Sequence, residues 1–212
     1  MAAVVATLQP SLFDARSDEP VLGPLRGEVE RHELTDGAWV DLRPGWISGS
    51  VDLFERLRAG VPWRAERRPM YDRVVDVPRV VSTYHERDTW PDPLLIEARD
   101  ALDAHYRVDL PEGFATAGLA LYRDGSDSVA WHGDRIGKGR SRDTLVAIVS
   151  LGDVRTLCLR PRGGGRSLRF TLASGDLLVM GGSCQRTWEH AVPKVRSAGP
   201  RMSVQFRPAG VW

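Results

Sequence analysis

A chain of 212 residues, 42% hydrophobic and 27% charged, has the composition of an ordinary soluble globular protein and can enclose a substantial core. No apolar run approaches a membrane span and the N-terminus lacks a secretory leader pattern, so a cytoplasmic protein without membrane contact is expected. The net charge of +1 does not announce a nucleic-acid binder, although a local basic face remains open.

Residues 1–27 carry Pro10, Pro20, Gly23, Pro24 and Gly27 without sustained periodicity. They read as a flexible arm, with 28–212 as a single domain. Inside the arm, Gln9-Pro10-Ser11-Leu12-Phe13 resembles the short peptide that many bacterial replication and repair proteins insert into a sliding clamp. Leu12 and Phe13 would fill an apolar pocket and Gln9 would hydrogen-bond at its edge. The other reading is that Leu12 and Phe13 pack the arm onto the domain.

Val29, Leu34, Trp39, Val40 and Leu42 alternate enough for one or two strands before the turn at Pro44-Gly45. Ser50 is placed to cap a short helix carrying Val51, Phe54 and Leu57 on one side and ended by Gly60. Arg56, Arg58, Arg64, Arg67, Arg68 and Arg73 then crowd together, interspersed with Glu55, Glu66 and Asp72. That stretch is either a solvated face or a basic surface for phosphates. The run Arg73-Val74-Val75-Asp76-Val77 predicts a strand stopped by Pro78. Asp92-Pro93 opens the best helix, with Leu94, Leu95, Ala98, Ala101, Leu102 and Tyr106 at helical spacing.

From about residue 114 the texture changes to short β-type runs: 117–122, 128–132, 144–151, 155–159, 167–172, 176–180, 187–191 and 201–207. Eight such runs after the helices predict an α+β, mainly β fold: a double-stranded β-helix (jelly roll) with N-terminal helices packed on one sheet. Gly163-Gly164-Gly165 reads as a hairpin turn. Cys158 and Cys184 lack metal-type spacing and read as reduced, buried thiols.

The chemistry gathers at Trp131-His132-Gly133-Asp134. His132 and Asp134 are two apart, which puts both side chains on one face of a strand. They could hold two corners of a divalent metal site, or be a solvated loop pair. His190, far along the chain, offers a third ligand if the jelly roll brings its strand alongside. Two histidines and one carboxylate form the facial triad of non-haem Fe(II) oxygenases. In the last run Met202, Val204 and Phe206 share a core face, while Arg201, Ser203, Gln205 and Arg207 share the other. Arginines on such a face are costly to bury unless they meet anions, and a guanidinium fork suits a carboxylate.

Together these pieces resemble the AlkB family of Fe(II)- and 2-oxoglutarate-dependent nucleic-acid dealkylases. The matching residues are Tyr122, His132-Gly133-Asp134, Gly175-Asp176-Leu177-Leu178-Val179-Met180, His190, and Arg201 with Arg207, over about 70–208. Val77-Pro78-Arg79 and Tyr84 look like part of the family's nucleotide-recognition lid, at about 64–90. The resemblance implies that His132, Asp134 and His190 ligate Fe(II). It implies that Tyr122 and Arg201 hold the distal carboxylate of 2-oxoglutarate, with Arg207 near its keto-acid end and Ser203 between the arginines. Tyr71 would stack on a flipped base, a contact worth about 1–3 kcal/mol, with His132 on its other side. Arg79 and Tyr84 would meet phosphate or base edge, and Trp131 and Trp188 are expected to pack. The implied activity is oxidative dealkylation of N-alkylated bases in DNA or RNA by a monomer using O2, with succinate, CO2 and an aldehyde as products.

Five positions depart from the family pattern. Ala120 and Ser203 stand where asparagines are frequent, and His85 where a glycine usually follows the lid tyrosine. Arg135-Ile136 replaces an acidic pair, so Ile136 cannot accept a hydrogen bond from a base amine. Two competing readings are a 2-oxoglutarate oxygenase acting on a protein or small molecule, and a non-catalytic binding module on the same fold.

Overall fold

Strand residues alternate between two apolar sets, and that alternation builds a layered molecule. In the computed structural model, which describes residues 19–70, 73–134 and 137–211, Leu119, Leu121, Val149, Leu151, Val179, Met202, Val204 and Phe206 belong to one core cluster. Their neighbours Ala120, Tyr122, Val146, Ile148, Leu178 and Met180 belong to a second. A sheet buried on both faces needs a layer on each side. Helices cover one face and a smaller sheet covers the other.

In chain order the strands are β1 Val21–Leu22, β2 Glu30–Glu33, β3 Ala38–Arg43, β4 Ile47–Ser48, β5 Arg64–Met70, β6 Arg73–His85, β7 Thr116–Tyr122, β8 Val129–His132, β9 Val146–Gly152, β10 Arg155–Pro161, β11 Leu168–Leu172, β12 Leu177–Gly182, β13 Trp188–Val192 and β14 Arg201–Arg207. The helices are α1 Ser50–Gly60, α2 Pro93–His105 and the single turn α3 Cys184–Thr187. The larger sheet runs β2-β3-β12-β9-β14-β7-β6-β5 and the smaller β11-β10-β13-β8, all antiparallel. This is the double-stranded β-helix expected, and each of the eight predicted runs from 117 onward is a strand. Among the described residues no helix is long and apolar enough to cross a membrane.

Helix α2 forms as its sequence dictates. The Asp92 carboxylate accepts the Leu94 N–H at 3.0 Å, and Pro93 occupies the first turn, where no N–H is needed. Leu94, Leu95, Ala98 and Leu102 are buried against the large sheet. Helix α1 starts differently from expectation. Its cap is Gly49, at φ 62°, and Ser50 instead lies within 2.8 Å of the Ser174 hydroxyl. Val51 is 67% exposed, and Leu53 joins Phe54 and Leu57 on the buried side.

Two further expectations are corrected. Pro78 does not stop β6. The β6–β7 ladder begins only at Val80, the β5–β6 register shifts between Ala65 and Arg67, and the Pro78 carbonyl accepts the Ser128 N–H at 2.8 Å. Proline is tolerated where the ladder is not asking for its N–H. The arm read as 1–27 is docked at its end: β1 pairs with β4, Gly23 exchanges hydrogen bonds with Trp46, and Leu25 is buried. The clamp-like residues Gln9, Leu12 and Phe13 lie outside the described residues, as do Tyr71 and Ile136.

One buried charge sits under the helices. Asp41, 2% exposed, accepts both Nε and Nη2 of Arg31 at 2.7 and 2.9 Å and the Tyr106 hydroxyl at 3.0 Å. Burial and the Asp41 charge push the Tyr106 phenol far above its usual range. Asp41→Ala leaves that hydroxyl without an acceptor, so a loss of about 1–3 kcal/mol is expected. Chemical denaturation of parent and variant checks it, and an unchanged midpoint would contradict it.

Candidate metal centre and its cavity

The spacing of the metal-binding candidates only becomes a site through strand pairing. β8 ends at His132, and His132 is the direct partner of His190 on β13. Their rings stand 4.2 Å apart, and Asp134 Oδ1 comes within 3.9 Å of His132 Nε2. One ligand atom from each of His132, Asp134 and His190 lies within 4.8 Å of the others. His132 Nδ1 is 2.8 Å from the Ala130 carbonyl, so the proton belongs on Nδ1 and Nε2 is left with its lone pair.

Charge supports the same use. Burial pushes His190 down to about 3, with the neighbouring His132 adding to the shift, so its imidazole is neutral at physiological pH. Burial works to raise the Asp134 carboxyl, but Arg207 and the two imidazoles outweigh it and hold the group at about 2. Arg207 Nε donates to Asp134 Oδ2 at 2.7 Å, which leaves Oδ1 facing the histidines. A neutral His190 nitrogen and an ionised Asp134 oxygen converging with His132 Nε2 fit a divalent metal.

The cavity beside these residues measures about 620 Å³ and lies between the sheets. Its floor is β14: Arg201, Ser203, Gln205 and Arg207 all line it, with Tyr122 and Ala120 from β7. Arg201 is 1% exposed, donates from Nε to Ser150 Oγ at 3.1 Å, and has a buried Nη1 with no hydrogen-bond partner among the described residues. Its guanidinium sits 5.2 Å from the Tyr122 ring centre. A buried cation with an orphaned donor fits a carboxylate ligand, since burial alone works to lower the Arg201 guanidinium.

Several residues that matter here had not been singled out. Gln185, on α3 and 1% exposed, accepts the Asp134 N–H on Oε1 at 2.9 Å. Ser150 orients Arg201. Gln205, legible as a member of the arginine face, receives Arg207 Nη2 at 2.6 Å and donates to Ser203 Oγ at 3.0 Å. Arg155, buried behind Tyr122, donates to the carbonyls of Asp124, Asp127 and Pro193. Strand alternation could have flagged Ser150 and Gln205; nothing local marks Gln185 or Arg155. Trp131 was expected only to pack, yet it is partly exposed and lines the cavity, with Arg160 stacked on its ring at 4.2 Å. Trp188 does pack in the core.

On the lid side Arg79 lines the cavity and donates to the Ser128 carbonyl at 3.3 Å. Tyr84 does not line it. Tyr84 shares a strand face with Val80, and both pack toward the helix-side core.

The sequence profile of the 2OG-Fe(II) oxygenase superfamily matches residues 79–207. The human Alpha-ketoglutarate-dependent dioxygenase alkB homolog 3 is 30% identical over 219 residues, spanning 94% of this chain and 76% of that protein. The chain belongs to the AlkB family of Fe(II)/2-oxoglutarate-dependent dioxygenases. The Arabidopsis thaliana DNA oxidative demethylase ALKBH2 is 29% identical to this AlkB-family chain over 198 residues, 74% of the chain and 62% of the plant protein. OsALKBH1 shares the fold, with a TM-score of 0.59 at 18% identity over 83% of this chain and all of that one. As members of the family, AlkB-type chains use Fe(II), 2-oxoglutarate and O2.

Gln185→Leu in this AlkB-family protein is expected to weaken metal binding by about 10–100-fold, because the loop carrying Asp134 loses its acceptor. Gln185→Glu, which keeps an acceptor oxygen, should restore most of it. Equal Co(II) affinity in parent and Gln185→Leu would contradict the role.

Proposed function

We propose that this protein removes alkyl groups from N-alkylated bases in DNA, with RNA as the alternative strand, and so repairs alkylation damage. The observation that carries the reading is the His132–Asp134–His190 cluster beside Arg201, which keeps an unpaired donor and lines the same cavity as Arg79. In this reading His132 Nε2, Asp134 Oδ1 and His190 hold Fe(II). Arg201 and Tyr122 take the distal carboxylate of 2-oxoglutarate, with Ser203 alongside. Arg207 steadies Asp134 and faces the keto-acid end. With both bound, the centre would supply oxidation by O2, one oxygen atom going to succinate as the keto acid loses CO2 and the other to the N-alkyl carbon, whose hemiaminal would break into base and aldehyde.

The chain's own residues supply orientation and selection. Tyr71 stacks the flipped base against His132, Arg79 meets the phosphate or base edge, and Ile136 offers an apolar contact where an acid would read an amine. The corrected placement of Tyr84 removes it from the base contacts. An alkylated base pairs poorly and is extruded at lower cost, which favours the lesion. Similarity to a plant protein named a DNA oxidative demethylase supports DNA over a protein or small-molecule substrate. The free, buried Cys158 and Cys184 support a reducing, cytoplasmic setting.

The test is a panel of methylated single- and double-stranded oligonucleotides incubated with Fe(II) and 2-oxoglutarate and scored by mass for lost methyl groups. Succinate release that ignores oligonucleotide but rises with a peptide or small molecule would overturn the reading. We further infer a sliding-clamp contact through Gln9, Leu12 and Phe13. Leu12→Ala with Phe13→Ala should abolish clamp binding without altering turnover of a short oligonucleotide, and unchanged clamp binding would end that inference.

A further inference from the structure

The segment just beyond Asp134 reads Arg135-Ile136-Gly137-Lys138-Gly139-Arg140-Ser141-Arg142, the acidic pair of the family pattern having given way to a run of bases. Its described part is tied closely to the metal-site loop. Gly137, at φ 77°, bridges to Val211, and a Cβ on Gly139 would meet the Asp134 carbonyl oxygen at 2.3 Å, so only glycine lets the chain fold back there. The 3₁₀ turn Lys138–Arg140 packs against α3, and the Thr187 carbonyl at the end of α3 accepts the Arg162 N–H at 2.8 Å. Arg162 opens the glycine turn between β10 and β11, which also carries Arg166. A continuous rim therefore joins Arg140 and Arg142 to Arg162 and Arg166 across α3.

All four arginines are exposed, and none has a carboxylate partner among the described residues. Two nearby carboxylates are already engaged: Asp143 pairs with Arg186, and Glu189 pairs with Arg160. Asp36 adjoins α3, its carbonyl accepting the Ser183 hydroxyl at 2.7 Å, so the rim sets four guanidinium groups without a carboxylate partner among the described residues against that one free acid. The rim lies across the cavity from the lid. α3 follows β12, the lid contains β6, and the two strands are four places apart in the large sheet, about 19 Å at ordinary strand spacing.

Resting on the nucleic-acid reading above, we propose that Arg140, Arg142, Arg162 and Arg166 form a phosphate-binding rim that grips the substrate backbone outside the reacting nucleotide. Guanidinium groups suit repeated phosphates, and each neutralised phosphate releases counterions. The lid then holds the damaged nucleotide from one side while the rim holds the polymer from the other.

The experiment compares the parent with R140Q/R142Q/R162Q/R166Q. On a methylated oligonucleotide of about 20 nucleotides, the slope of log affinity against log salt should fall in magnitude by about 3, and affinity at moderate salt by more than about tenfold. Turnover of a methylated trinucleotide, too short to reach the rim, should stay within about twofold of the parent, since only the longer strand has phosphates for the rim to neutralise. Unchanged thermal melting confirms that the variant is folded. Loss on a duplex alone assigns the rim to the complementary strand, and equal loss on a single strand assigns it to the damaged one; both support the rim. An unchanged salt slope, or equal losses on trimer and long strand, overturns it. A parent that demethylates no oligonucleotide overturns both the rim and the reading beneath it, whereas an active parent with an indifferent variant overturns the rim alone.

Discussion

Asp134→Ala is expected to abolish 2-oxoglutarate-dependent succinate formation and to weaken metal binding by more than the 10–100-fold typical of losing an outer partner. The carboxylate has two jobs in this geometry. Oδ1 completes the three-atom cluster with His132 and His190, and Oδ2 receives Arg207 Nε at 2.7 Å. Alanine removes the ligand and also strands a guanidinium that is only 14% exposed. Breaking such a pair from one side costs about 3–5 kcal/mol, so the metal-free variant should melt about 10 °C lower as well. Co(II) titration and thermal melting read the two effects separately. Asp134→Asn keeps Oδ1 but turns an amide toward Arg207, so its metal affinity should fall between parent and alanine variant. Parent-like Co(II) affinity in Asp134→Ala would sink the metal assignment and the oxidation chemistry with it.

Arg201→Met should move function and stability in opposite directions. The side chain is fully buried, one of its donors has no partner among the described residues, and the strand around it is apolar on the reverse face. A charge-assisted hydrogen bond to the distal carboxylate is worth about 1.5–3 kcal/mol, so the KM for 2-oxoglutarate should rise roughly ten- to a hundredfold. Methionine has similar length and no charge to desolvate. The melting temperature without cofactor should therefore hold steady or rise. A variant that loses stability while keeping its KM would show that Arg201 is a structural cation. Arg207→Ala should behave differently: because Arg207 also bonds Asp134, its loss is expected to weaken metal and 2-oxoglutarate together.

The contrast between those two arginines shows where reading residues in line is strong and where it fails. Period-2 alternation over 201–207 separated Met202, Val204 and Phe206 from the arginine face, and the strands fall as that pattern requires. Asp92-Pro93 announced α2 because an N-cap and its proline act within one turn. Proline at 78 misled, because its cost depends on whether a neighbouring strand wants its N–H, and none does there. Tyr84 misled for a related reason: the lid strand's phase, and with it the face Tyr84 takes, is set by pairing with β7.

The amino-acid order by itself determined the ligand types, the strand faces, the helix starts governed by local caps, and the family to which the chain belongs. Tertiary structure alone decided that His190 stands opposite His132, that Gln185 steadies Asp134, that Arg201 keeps a buried donor unpaired while Arg207 is bonded to Asp134 and Gln205, and that separate basic segments join into one rim. Local propensities and alternation act over a few residues and are written in the chain. Metal geometry, orphaned donors and shared charge depend on which distant strands are hydrogen-bonded, and closure of the double sheet settles that.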